Sequence, residues 1–117
     1  MLKADLQKGA KLAHPSKVKG NKFERDIVNE AKELGLDSKR AYASNGESLG
    51  MHAEVDLIIE DYKIQAKIRK SIASYLLPNQ NVDAQVIRQN RGEAYIVFRL
   101  RDWLKDVSGK TNNNVGS

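Results

Sequence analysis

A chain of 117 residues is one domain's worth of sequence; such a domain buries roughly 65% of the surface its unfolded chain exposes, and with 6% aromatics its core falls to Ile, Val, Leu and Ala. The net charge of +5 and pI near 9.5 direct attention to polyanions, nucleic acid first, although a basic balance of this size also occurs in proteins that bind none. The absence of Cys excludes disulfides, thiolate zinc sites and a Cys nucleophile, and with neither an apolar run of about 18 residues nor an apolar signal core, no membrane span and no secretion are expected.

Residues 1–20 hold five Lys against one Asp. Gly and Pro15 interrupt any periodicity, so 1–18 reads as a basic arm with a short helix at most, either solvated or lying on DNA. Residues 21–35, "NKFERDIVNEAKELG", are expected as a helix capped by Asn21 and ended by Gly35. Phe23, Ile27, Ala31 and Leu34 form its apolar stripe with Val28 beside it, and Glu24 falls at the edge of the buried face.

Residues 38–44 fit a strand, and the Gly-bearing stretch 45–52 a loop. Residues 53–59 and 62–69 read as a hairpin, and 71–79 with Pro78 as a connector. Val82, Val86 and Ile87 share one side of an expected helix over 81–91. The apolar run "AYIVFR" at 94–99 suggests a strand buried on both faces. A short helix over 101–107 and a disordered tail over 108–117 complete the chain. The order helix, three strands, helix, strand, helix implies an α/β or α+β sandwich, with an antiparallel meander joined by a helical crossover into a mixed central sheet.

The chemistry concentrates in "VDLIIEDYKIQAK", residues 55–67. With Glu60-Asp61 as a two-residue turn, Ile59 faces Tyr62 and Asp56 falls opposite Gln65, about 5 Å apart at Cβ. Alternation puts Gln65, Lys67 and Arg69 on one side of their strand. A hard cation such as Mg²⁺ seeks oxygen ligands and keeps several waters. Asp56 offers an anionic oxygen, Gln65 a neutral one and the Ala66 carbonyl another. Lys67 is suited to orient the attacking water or to offset transition-state charge. The bland alternative is a surface Asp–Lys pair worth under about 1 kcal/mol.

Further parts surround this patch: "KGNKFER" with Lys19-Gly20 ahead of Glu24-Arg25, "RAYASNG" with Arg40, Ser44 and Gly46, then Asp56, Gln65-Ala66-Lys67, and "EAYIVFRL" near Trp103. From about Lys19 to Trp103 the chain resembles the PD-(D/E)XK nuclease superfamily, and within it the archaeal-type Holliday junction resolvases. The resemblance implies a restriction-endonuclease-like αβββαβ core over residues 19–107, with a mixed sheet flanked by helices. It also implies a symmetric homodimer that nicks branched DNA with Mg²⁺ or Mn²⁺, in the cytoplasm, nucleoid-associated or viral in an infected cell. Position by position, Glu24 matches the acid of the first helix that completes the metal site, often through water, and Asp56 the core metal ligand. Lys67 matches the catalytic lysine, and Ser44 a supporting serine near the active site. Gln65 departs from the acid expected there and resembles the Q-x-K of Mrr-type restriction endonucleases.

Phosphate contacts are expected from Lys17, Lys19, Arg25, Arg40, Arg69 and Lys70. Arg25 and Arg40 could instead pair with nearby acids, and Arg69 and Lys70 could simply be solvated. His14 and His52 suit surface or loop roles, and Trp103 suits a cap on the core. Two other functions remain open: a sequence-specific restriction or homing endonuclease on the same core, and a DNA-binding module that has lost its metal.

Overall fold

The chain divides into two compact units, Met1–Ile68 and Arg69–Ser117. The computed structural model describes residues 15–41 and 50–116, without the side chains of Ser16 and 112–116. Most of the basic arm, His14, Ser44 and the greater part of the 45–52 loop lie outside the described residues.

In the first unit, helix α1 spans Pro15–Glu33. It begins six residues earlier than the Asn21 cap predicts. Pro15 opens it, where a fixed φ and a missing N–H cost nothing, so Asn21 lies inside the helix. Its end follows the sequence closely. Gly35 takes a φ of 82°, its N–H reaches Lys32 O at 2.9 Å, and the Leu36 N–H reaches Ala31 O at 3.0 Å. This is the Schellman arrangement, with Leu36 and Ala31 both buried.

Strands β1 (Ser38–Arg40), β2 (Leu57–Ile59) and β3 (Tyr62–Ile64) form an antiparallel sheet in chain order. The two-residue turn is present: Ile59 pairs with Tyr62 and Leu57 with Ile64. Each strand is three residues long, shorter than the sequence suggests. One face carries the row Ser38, Ile59, Tyr62 and the row Arg40, Leu57, Ile64; the other carries Lys39, Ile58 and Lys63. Burial selects the first face, where Leu57 and Ile59 are fully buried. Helix α1 packs on β1 and β2 with the stripe Glu24, Ile27, Val28 and Ala31, while Phe23 and Leu34 are only half-buried. Glu24 is therefore within the buried stripe and not merely beside it.

The second unit differs from expectation. Residues 84–88, expected within a helix, form strand β4 (Ala84–Arg88), which pairs antiparallel with β5 (Ala94–Phe98) in a separate two-stranded sheet. The cause is local. Val86 and Ile87 are β-branched and favour extended backbone. The following Gln89-Asn90-Arg91-Gly92 makes a turn, with Arg91 at a φ of 61° and the Gly92 N–H on Gln89 O at 2.9 Å. The strand over 94–98 therefore finds its partner next door. It is not buried on both faces: Tyr95, Ile96 and Phe98 are exposed.

The connector holds a single 3₁₀ turn, Ser74–Leu76. It is tied to the hairpin by Gln85 Nε2, which donates to Tyr75 O. The Arg99 guanidinium adds bonds to Val82 O at 2.9 Å and Asn79 O at 3.0 Å. Helix α2 runs Leu100–Gly116, so it continues through the segment expected to be a disordered tail. Leu104, Val107 and Ser108 make its buried side, and Trp103 is half-buried.

The molecule is thus a mixed α+β protein with two helices and antiparallel sheets of three and two strands. The mixed central sheet and its crossover helix are not formed among the described residues. No described helix is long and apolar enough to cross a membrane.

Candidate metal and nucleic-acid site

Asp56 occupies the position just before β2 and is 8% exposed. Three bonds fix it. Its carbonyl accepts the Ala41 N–H at 2.8 Å, continuing the β1–β2 ladder by one step. Its own N–H donates to Ile64 O at 2.9 Å. Its Oδ2 accepts the Ala66 N–H at 2.9 Å.

The last two bonds straddle Gln65. A continued ladder would set Asp56 against Gln65, but the Asp56 N–H bonds one residue short of it and the carboxylate one residue beyond. The expected cross-strand pair is therefore replaced by a side-chain clamp on the peptide that links Gln65 to Ala66. A buried carboxylate needs such a donor, and an amide here supplies it without consuming a cation. Oδ1 accepts no hydrogen bond among the described residues.

Exposure alternates past β3, with Ile64 and Ala66 half-buried and Gln65 and Lys67 exposed. This is the alternation expected from a strand, although regular pairing stops at Ile64. Lys67 forms no ion pair among the described residues, so the surface Asp–Lys bridge that the spacing permits is absent.

Glu24, on α1, is 5% exposed. The Arg40 Nε donates to its Oε1 at 3.1 Å, and the Arg40 Nη2 donates to Asn21 Oδ1 at 3.2 Å. Of its two expected roles, Arg40 here takes the acid partner. Arg40 adjoins Ala41, whose N–H holds Asp56, so Glu24 and Asp56 are joined through a single dipeptide. Asn21 escapes sequence reasoning as a partner of Arg40, because its place before Glu24-Arg25 suggests a helix cap instead.

The donors that remain fit a hard cation better than a soft one: a carboxylate at Asp56, an amide oxygen at Gln65 and the Ala66 carbonyl, all oxygen. Among the described residues no three His, Cys, Asp or Glu lie close enough to hold a metal, so any cation here would depend on those neutral oxygens and on water.

Of the expected phosphate-binding residues, Lys17, Lys19 and Arg25 are exposed on α1. Arg69 and Lys70 are exposed at the start of the second unit. His52 is exposed, and its Nδ1 accepts the Glu54 N–H at 3.2 Å, a loop role as expected. A cavity of about 340 Å³ opens elsewhere, on the outer face of the three-stranded sheet. Lys39, Ile58 and Lys63 line it with Met51, and none of Glu24, Asp56, Gln65 or Lys67 does.

No family model, curated protein or solved structure matches the chain.

Proposed function

We propose that this protein is a metal-dependent DNA endonuclease that cleaves phosphodiesters in branched DNA. In this reading α1 and the β1–β3 meander belong to a restriction-endonuclease-like core. The observation that carries it is the 2.9 Å bond from the Ala66 N–H to Asp56 Oδ2. It fastens the one buried carboxylate of the hairpin to the Gln65-Ala66-Lys67 segment. Asp56, Gln65 and the Ala66 carbonyl would hold Mg²⁺ or Mn²⁺, which would activate a water for in-line attack on phosphorus. Lys67, exposed and with no carboxylate partner among the described residues, orients that water or offsets the charge that builds on the phosphate. Glu24, paired with Arg40, supports the centre from α1. Lys17, Lys19, Arg25, Arg69 and Lys70 bind phosphates, which positions DNA with little base readout. One chain carries one such centre, so paired cuts in a junction call for two subunits.

The test is a labelled four-way junction beside a linear duplex of matching sequence, each with Mg²⁺, Mn²⁺ or chelator. Nicking of the junction that needs metal is expected. Asp56→Ala and Lys67→Ala should each abolish it while DNA binding survives. Gln65→Glu should retain or raise activity at low Mg²⁺, because a carboxylate is the better ligand. Cutting at one sequence in linear DNA would instead identify a restriction or homing enzyme. Binding without nicks in any metal would identify a non-catalytic DNA-binding module.

A further inference from the structure

Arg40 ends β1 on the core-facing side of the sheet, in one row with Leu57 and Ile64. From there it reaches α1 twice, at Glu24 and at Asn21, one helical turn apart. Its side chain is 24% exposed and that of Glu24 6%. This is not a rim pair of two long solvated chains. It is a guanidinium inserted between a helix and a sheet, held by two side-chain acceptors.

A guanidinium and a divalent cation compete for the charge of one carboxylate. Their like charges repel most where the surroundings are least aqueous. A cation at Glu24 Oε1 would displace the Arg40 Nε, and one at Oε2 would sit on the same carboxylate as a guanidinium that a second bond, to Asn21, holds in place. No such competitor stands at Asp56, whose bonded oxygen is held by a neutral amide.

We propose that Arg40 is the resident counter-charge of Glu24 and limits the site to a single divalent cation, at Asp56. Glu24 then acts as a positioning residue, and the expectation that it ligates metal gives way to one in which Arg40 fills that place. This inference rests on the reading of Asp56 as a metal ligand.

The experiment is a Mn²⁺ titration of the full chain, with free Mn²⁺ followed by its paramagnetic resonance signal, so that no catalytic readout is involved. One ion per chain is expected for the wild type, and none for Asp56→Asn. Arg40→Gln keeps a hydrogen-bond donor beside Glu24 but removes the charge, and should take up a second ion, as should Arg40→Ala. Arg40→Lys should stay at one. If Arg40→Ala does not fold, Arg40→Gln and Arg40→Lys decide the matter. Two ions in the wild type, or one in Arg40→Gln, would overturn the role of Arg40 and leave the metal reading standing. No ion in the wild type would overturn both.

Discussion

The meander of the first unit and the hairpin of the second invert what their sequences suggest. Strands β1–β3 are three residues each and carry Ser, Lys, Arg and Tyr, yet they bury Leu57 and Ile59 completely. Strands β4 and β5 are five residues each and include the most apolar run in the chain, yet none of their residues is buried: Val86 is 67% exposed and Ile96 55%. The difference lies in the layer above. Helix α1 lies over β1 and β2 and removes one face from water, whereas the faces of the β4–β5 ladder stay largely in contact with it. An apolar run therefore reports what a strand could bury, and only a second layer decides whether it does. The same layer makes polar groups consequential. Beneath α1 a carboxylate must be partnered, and Glu24 and Asp56 each are.

The contrast is most open to attack through core truncation. Leu57→Ala should cost about 3 kcal/mol or more in urea unfolding, whereas Ile96→Ala on the hairpin should stay within about 0.5 kcal/mol. Equal costs would mean that the hairpin face is covered in solution, and the comparison would fail.

The next effect separates buried from exposed charge on one helix. Arg40→Met leaves Glu24 buried without its counter-charge and should cost about 3 kcal/mol. Adding Glu24→Gln should recover a large part of that, giving a coupling above about 1 kcal/mol in a double-mutant cycle. Lys22 and Asp26, paired at 2.8 Å on the same helix but both well exposed, should couple by about 0.5 kcal/mol or less. A weak Glu24–Arg40 coupling would place that pair in the same class as the surface one.

The smallest effect sharpens the account of the buried face. The Ser38 hydroxyl is buried there with no hydrogen-bond partner among the described residues. Ser38→Ala should leave stability unchanged or raise it by a few tenths of a kcal/mol. A loss above about 1 kcal/mol would show that the hydroxyl has a partner in solution.

How far the sequence could be read follows from how local each signal is. The Glu60-Asp61 turn and its register were legible because two apolar runs flank two polar residues and the side-chain period is two. Gly35 as a helix stop was legible for a similar reason: one residue near the end of a periodic stretch must turn left-handed. The spacing of Glu24 to Ile27, Val28 and Ala31 placed it at the edge of the buried face, one step short of the full burial it has.

The helix expected over 81–91 failed because Val82, Val86 and Ile87 suit a helical face and a strand equally well. What decides between them is the turn at 89–92 and the availability of the strand beyond it. The clamp of Asp56 on the Ala66 N–H was invisible because it breaks the ladder by one residue on each side of Gln65, which no period predicts. The commitment of Arg40 to Glu24 was legible only as one of two options, since its choice needs the helix and the sheet to be in place. The length of α2 was hidden by Gly109 and the Asn run that follows, which are poor helix formers.

Glu60 has a consequence for the order in which the first unit assembles. It sits at a φ of 54°, a conformation that a side-chain-bearing residue resists. Residue 37 meets it with both main-chain groups: the Glu60 N–H donates to Asp37 O at 2.7 Å, and the Asp37 N–H donates to Glu60 Oε2 at 2.7 Å. This two-residue turn is thus braced by a residue 23 positions upstream, across a loop whose closure must be met by chain entropy first. A fragment holding only the hairpin would lack that brace. The turn is completed by docking and not before it, so formation of the β2–β3 hairpin is coupled to arrival of the segment that follows α1, and the two should appear in one kinetic phase.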